Sequence, residues 1–120
     1  MSRSGMRPPR LDVPLELEAP LSEADGAGGF RQSWRRVGRV WAEMRSGVGG
    51  ERVSGVAVQS TVTWRIVVRA AVLGDPRRPR AGQRLGMAGG RWFLIRSVAE
   101  MDPAGRYLLC LASEEAAPWV

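Results

Sequence analysis

The sequence contains no histidine, no lysine and a single cysteine. Without an imidazole there is no His-based triad, no His metal ligand and no imidazole proton shuttle. One thiol excludes an intrachain disulfide and a thiolate cluster for zinc or iron–sulfur. No stretch approaches the roughly 18–20 apolar residues of a membrane span, so no membrane partner is expected. No cofactor is expected either. What remains is ordinary globular composition: 44% hydrophobic and 25% charged over 120 residues, enough for one small domain and too little for two independent cores. A core of that size stabilises its domain modestly, so contacts with other subunits are expected to share the load.

Every one of the eighteen basic residues is Arg, and the net charge is +6. Arg codons are GC-rich and Lys codons are not, so the bias points to a GC-rich coding genome rather than to a function. The distribution is more informative. Residues 11–30 hold five carboxylates (Asp12, Glu16, Glu18, Glu23, Asp25) and no base, whereas residues 31–120 hold fifteen Arg against seven acids. A basic body can meet nucleic acid, an acidic protein surface or only water.

Three regions are expected: a flexible N-terminal arm over residues 1–10, an all-β domain over 11–113, and a tail over 114–120. The first ten residues carry Arg3, Arg7, Arg10 and Pro8-Pro9 without a hydrophobic stretch, unlike a secretory signal. Val13, Leu15 and Leu17 then alternate with Pro14, Glu16 and Glu18, the period of a half-buried strand. Ser22 to Gly29 reads as a turn or loop. Between Phe30 and Arg45, Val40, Ala42 and Met44 share one face and Arg39, Trp41, Glu43 and Arg45 the other. Trp34, Val37, Trp41 and Met44 also fit a helix, but the β-branched and aromatic content favours a strand bent near Gly38. Residues 46–56 contain four glycines and little pattern, predicting a long loop with a short helix around Glu51 to Val56. Val62, Trp64, Ile66, Val68 and Ala70 mark one face of a long strand, with Val67 an apolar residue on the other. Further strands are predicted from Leu85, over Arg91–Val98 and over Tyr107–Ala112, punctuated by Gly89-Gly90 and Asp102–Gly105. About six strands with short turns predict a small antiparallel β-barrel or sandwich with a long Gly-rich loop.

Little in this pattern supports catalysis. Adjacent Glu114 and Glu115 point apart on a strand, and Cys110 alternates with leucines as a small core residue with no activating base. The glycine-rich stretches lack the Lys of a P-loop. Nucleic-acid binding has more behind it. Arg77, Arg78, Arg80, Arg84 and Arg91 fall within fifteen residues free of acid, and Arg31, Arg35, Arg36 and Arg39 form a second cluster. Five tryptophans could stack bases on a single-stranded nucleic-acid-binding barrel if exposed. The competing reading puts Trp64 and Trp92 on inward faces as core, and each sits in an alternating apolar pattern that favours it.

Several segments in order resemble the head-closure, or stopper, proteins that join head to tail in bacteriophages and gene transfer agents. They run from about Leu11 to Leu111: a first strand, Asp25-Gly26-Ala27-Gly28-Gly29-Phe30 and Trp34, then Val40-Trp41-Ala42-Glu43-Met44, then Gly50-Glu51. Thr63-Trp64-Arg65-Ile66 through Arg69 is similar to the family's long central strand. The Gly82 turn and Gly90-Arg91-Trp92-Phe93-Leu94-Ile95 with Val98 are similar to its closing hairpin. The resemblance implies a virion or particle protein, assembled in the bacterial cytoplasm. Its copies would form a homo-oligomeric ring below the portal and adaptor and above a tail terminator or tail tube, closing the channel that holds packaged double-stranded DNA. It also implies a channel-narrowing loop, matched here by Arg45, Ser46, Gly47, Val48, Gly49, Gly50, Glu51, Arg52, Val53, Ser54, Gly55, Val56, Ala57 and Val58. A neighbouring ring component such as a tail terminator is the related alternative. Because each phosphate contact strengthens binding, a channel through which DNA must slide is poorly served by exposed Arg. Arg65, Arg69, Arg77, Arg78 and Arg80 are therefore expected at subunit or adaptor interfaces, where guanidinium forks meet carboxylates.

Overall fold

A computed structural model describes the backbone of residues 7–46, 49–54 and 57–115, and the side chains of these outside 49–61. Seven strands follow one another: β1 (Val13–Ala24), β2 (Phe30–Arg45), β3 (Gly49–Ser54), β4 (Ala57–Arg69), β5 (Arg84–Met87), β6 (Arg91–Glu100) and β7 (Tyr107–Glu114). Among the described residues there is no helix, so the strand reading of Phe30–Arg45 holds. Every pairing is antiparallel, in the order β2-β1-β5-β6-β7-β4-β3. A further β2–β4 pairing, Ala42 to Arg45 against Val68 to Arg65, closes six of the strands into a ring. Closure removes the sheet edges that would otherwise template unwanted pairing.

Alternation decides what faces inward. Leu15 and Leu17 of β1, Ala42 of β2, Ile66 and Val68 of β4, and Leu85 of β5 fill the interior. Phe93 and Ile95 of β6 meet them with Leu108, Cys110 and Ala112 of β7. Burying each of the larger side chains stabilises the fold by about 1.5–3 kcal/mol. Trp64 lies edge-on to Phe93, with ring centroids 5.6 Å apart, and packs against this core. Val67, the apolar exception on β4, is buried too, outside that cluster. The register of β1 against β2 shifts between Leu17 and Glu18, which face Gly38 and Arg36 and leave Val37 as the additional residue. The expected bend near Gly38 is thus a β-bulge.

Two ribbons stand off the ring. β1 loses its β5 partner after Glu18, yet its pairing with β2 continues to Ala24 and Phe30. The loop expected over Ser22–Gly29 is correspondingly reduced to a turn at Asp25–Gly29. At the other end, β7 pairs with β4 only from Thr63 onward, while β3 pairs with Ala57 to Val62. The prediction of a long loop with a short helix over 46–56 is therefore corrected, since Gly49–Ser54 is a strand. Glycine lowers strand propensity, and here register with β4 overrides it. Arg45 faces Arg65 and Gly49 faces Val62, so β3 continues the path of β2 along the same edge of β4. β2 thus begins in one ribbon, crosses the ring and leads to the other, and the two ribbons leave opposite ends. The result is elongated, 62 × 38 × 25 Å with a radius of gyration of 16.5 Å, where a compact chain of this length has about 14 Å.

Candidate assembly surfaces

The β3–β4 ribbon contains most of the segment predicted to narrow a channel. Gly49 to Ser54 form β3, and Ala57 and Val58 open β4. Gly47, Val48, Gly55 and Val56 lie outside the described residues. Arg45 ends β2 at the ribbon's base, where its Nε donates to Glu43 Oε2 at 2.6 Å. Ser46 follows, exposed. The Glu43 carboxylate also accepts the Arg10 backbone N–H, tying the residues before β1 to β2. Arg45 first and Arg10 second hold the Glu43 carboxyl below its ordinary range.

The β1–β2 ribbon ends in a turn organised by Asp25. Its Oδ1 accepts the N–H groups of Ala27 at 2.8 Å and Gly29 at 3.0 Å, which holds its carboxyl low. Gly26 and Gly28 take φ of +80° and +89°, a conformation that side-chain-bearing residues rarely adopt. Phe30 beside this turn is 77% exposed.

The five arginines predicted at interfaces are not brought together. Arg65 and Arg69 lie exposed on the wall of the ring, Arg69 over the Tyr107 ring at 5.4 Å. Arg77, Arg78 and Arg80 lie on the connection after β4, at the end of the ring from which the β1–β2 ribbon emerges. Arg77 is engaged internally: Nη2 and Nε donate to the Asp75 carboxylate at 3.0 and 3.2 Å, lowering the Asp75 pKa and raising that of Arg77. Arg78 Nη1 donates to the Ala71 carbonyl at 2.6 Å. Arg80 uses its backbone N–H on Gln83 Oε1 at 2.9 Å. Arg78 and Arg80 have no carboxylate within ion-pair distance among the described residues.

Of the second basic cluster, Arg36 and Arg39 both bind Glu16, at 2.5 and 2.9 Å, and Arg39 first and Arg36 second depress its pKa. The setting of Arg84, named above only as one of a basic cluster, is what sequence reasoning missed. Its guanidinium lies between two tryptophans, 3.8 Å from the Trp92 ring and 4.3 Å from that of Trp34, and donates to Glu18 Oε1 at 2.8 and 3.0 Å. This stack ties the base of the β1–β2 ribbon to β5 and β6. The expectation that Trp92 builds the core is thereby corrected. Phe93 and Ile95 take the inward positions of β6, which leaves Trp92 on the outer face under Arg84. Gly86, facing Trp92 in register, was the available signal, because a glycine inside a short strand often marks a close approach by a neighbour.

Reactivity is low in the described residues. Burial raises the Cys110 thiol to about 12, and no group of three metal-ligating side chains comes together among them. Of the tryptophans described, Trp34 and Trp92 flank Arg84 and Trp64 packs on Phe93, while Trp41 is 51% exposed.

The molecule is thus a closed all-β ring with a ribbon at each end and ion pairs along its walls. The phage head completion protein family matches residues 6–115, and the chain belongs to that family, a class of structural proteins of phage heads. Among solved structures, a chain from "Virion of native gene transfer agent (GTA) particle" is 47% identical. It superposes with a TM-score of 0.76 over 92% of this chain and 100% of that one. No curated protein matches.

Proposed function

We propose that this head completion protein acts as a stopper. Copies form a ring below the portal and adaptor, narrow the DNA exit channel and present the opposite face to the tail. The observation that carries the reading is the pair of two-stranded ribbons at opposite ends of a closed ring of strands. An isolated hairpin is marginal in water, so ribbons standing off the body suit a protein completed by neighbours above and below. In this reading the β3–β4 ribbon, Arg45 to Val58, reaches the channel, and the Arg surfaces meet protein carboxylates. Internal pairing of Arg36, Arg39, Arg77, Arg84 and Arg91 with Glu16, Asp75, Glu18 and Glu114 argues against a DNA-binding face, because a guanidinium already matched to a carboxylate adds little phosphate affinity. The role needs no catalytic group.

Electron microscopy of particles from cells lacking the gene tests it. The expected result is DNA-filled or leaking heads without tails, with free tails alongside. Intact particles would sink the joining role. Tight oligonucleotide binding by the purified chain, falling steeply with salt, would favour a nucleic-acid-binding barrel instead.

A further inference from the structure

A groove of about 710 Å³ opens where the β1–β2 ribbon leaves the ring. Ala19, Val37 and Val98 give it an apolar floor, Leu73 forms a lip that is 83% exposed, and Arg35, Arg78 and Arg80 rim it. None of these three arginines has a carboxylate within ion-pair distance among the described residues. Gln83, only 5% exposed, also lines it. Its Oε1 takes the Arg80 N–H, while its amide nitrogen has no protein acceptor among the described residues. A buried amide donor is normally satisfied, so an acceptor from outside the chain fits here.

The tip of the β1–β2 ribbon has the opposite character. Glu23 and Asp25 have no Arg within ion-pair distance among the described residues, and Phe30 and Leu21 are exposed beside them. The tip cannot enter its own groove. Its carboxylates Glu23 and Asp25 lie four and six residues beyond Ala19 on the same ribbon, about 13 and 20 Å away at strand rise.

We infer that the groove receives the Leu21–Phe30 tip of a second copy of this chain, carboxylates against Arg35, Arg78 and Arg80 and Phe30 against the apolar floor. A DNA backbone would satisfy the arginines and leave the floor uncovered. Tip and groove are different surfaces, so the contact is head-to-tail, and it closes into a ring when the rotation per subunit allows. This rests on the stopper-ring reading and adds the contact that builds the ring.

The test uses assembled particles whose only copy of the chain carries Ala27→Cys and Ala81→Cys, two exposed small residues; native Cys110 is buried. Treatment with a short bismaleimide is expected to give a ladder of covalent multimers of this chain, at least about tenfold stronger than with either single variant, as a specific head-to-tail contact requires. Cross-links solely to another particle protein, or none above the single variants in particles holding the chain at normal copy number, overturn the inference and leave the ring reading standing. Absence of the chain from particles overturns both. Charge reversal gives a second measurement. Glu23→Arg and Arg80→Glu alone each lower particle yield by about tenfold or more, since like charges face each other, and together they restore it. Failure of the pair to restore yield, with both purified variants folded, overturns the inference.

Discussion

Replacing Gly86 by Ala strikes the point where the ribbon base is fastened to the ring. A Cβ there would lie 2.5, 2.7 and 2.9 Å from Cζ3, Cη2 and Cε3 of Trp92. Those are ring atoms on a rigid side chain, so the indole must move as a unit. Moving it disturbs Arg84, whose guanidinium is 3.8 Å from that ring and is held by Glu18 at 2.8 and 3.0 Å. Overpacking of this kind costs about 1–3 kcal/mol, and a desolvated cation–π contact contributes about 0.5–2 kcal/mol. The expected loss is therefore about 1.5–5 kcal/mol, or roughly 6–20 °C in Tm at about 4 °C per kcal/mol for a chain of this size. Urea titration followed by circular dichroism measures it, and tryptophan emission reports the displaced indole. In a Trp92→Leu background the same glycine change should cost less than about 1 kcal/mol, because contacting residues are coupled. A loss below about 0.5 kcal/mol in the parent, or equal losses in both backgrounds, would refute the close-approach argument.

Phe93→Ala, at the centre of the core, should cost about 3–5 kcal/mol, read from the urea midpoint. Cys110, buried with its pKa raised to about 12, should react with a disulfide reagent at pH 8 only as fast as the chain unfolds; prompt labelling of the folded protein would contradict its burial. The folded pKa values of Glu16, Asp25, Glu43, Asp75, Asp102 and Glu114 are all lowered. Their stabilisation is present above the unfolded carboxylate range and is lost as pH falls through the folded values. The urea midpoint should thus be flat from about pH 5.5 to 8, there being no histidine to titrate, and fall below about pH 4.5. Asp25→Ala should speed amide exchange at Ala27 and Gly29, whose N–H groups lose their acceptor, without altering exchange at Ile66 or Leu108.

Where a strand separates core from solvent, its alternation was legible in the residues alone. Leu15 and Leu17 on β1, Val40, Ala42 and Met44 on β2, and Ile66 and Val68 on β4 all face inward as their spacing predicts. The turns at Gly89-Gly90 and Asp102–Gly105 were legible for a different reason: these glycines take positive φ. β3 was not legible, because Gly49-Gly50-Glu51-Arg52-Val53-Ser54 carries no apolar alternation, and its strand character comes from register with β4. The Trp92 error has a related cause. Arg91-Trp-Phe-Leu-Ile95 is apolar at both parities, so spacing cannot tell which face is buried. The rest of β6 and β7 decides it, together with an Arg that lies close by only after β5 has paired.

The ring and the β1–β2 ribbon differ in how much they bury. The closed ring holds the buried core and five of the ion-paired arginines, and it needs no neighbour to complete its pairing. The β1–β2 ribbon buries little of its own surface: every residue from Pro20 to Gly28 is exposed, and pairing there is with a single partner strand. Opening free energy within a protein scales down where buried contacts are few. In the proposed ring, ordering the β1–β2 ribbon against a neighbouring copy would add stability that the free chain lacks, rising as subunits bind. The coupling makes a direct comparison: amide exchange at Leu21 and Ser33 should be fast in the free chain and strongly protected in the assembled particle. Exchange at Leu17 and Phe93 should be slow in both. Equal protection of Leu21 in the two states would show that the ribbon is completed without neighbours.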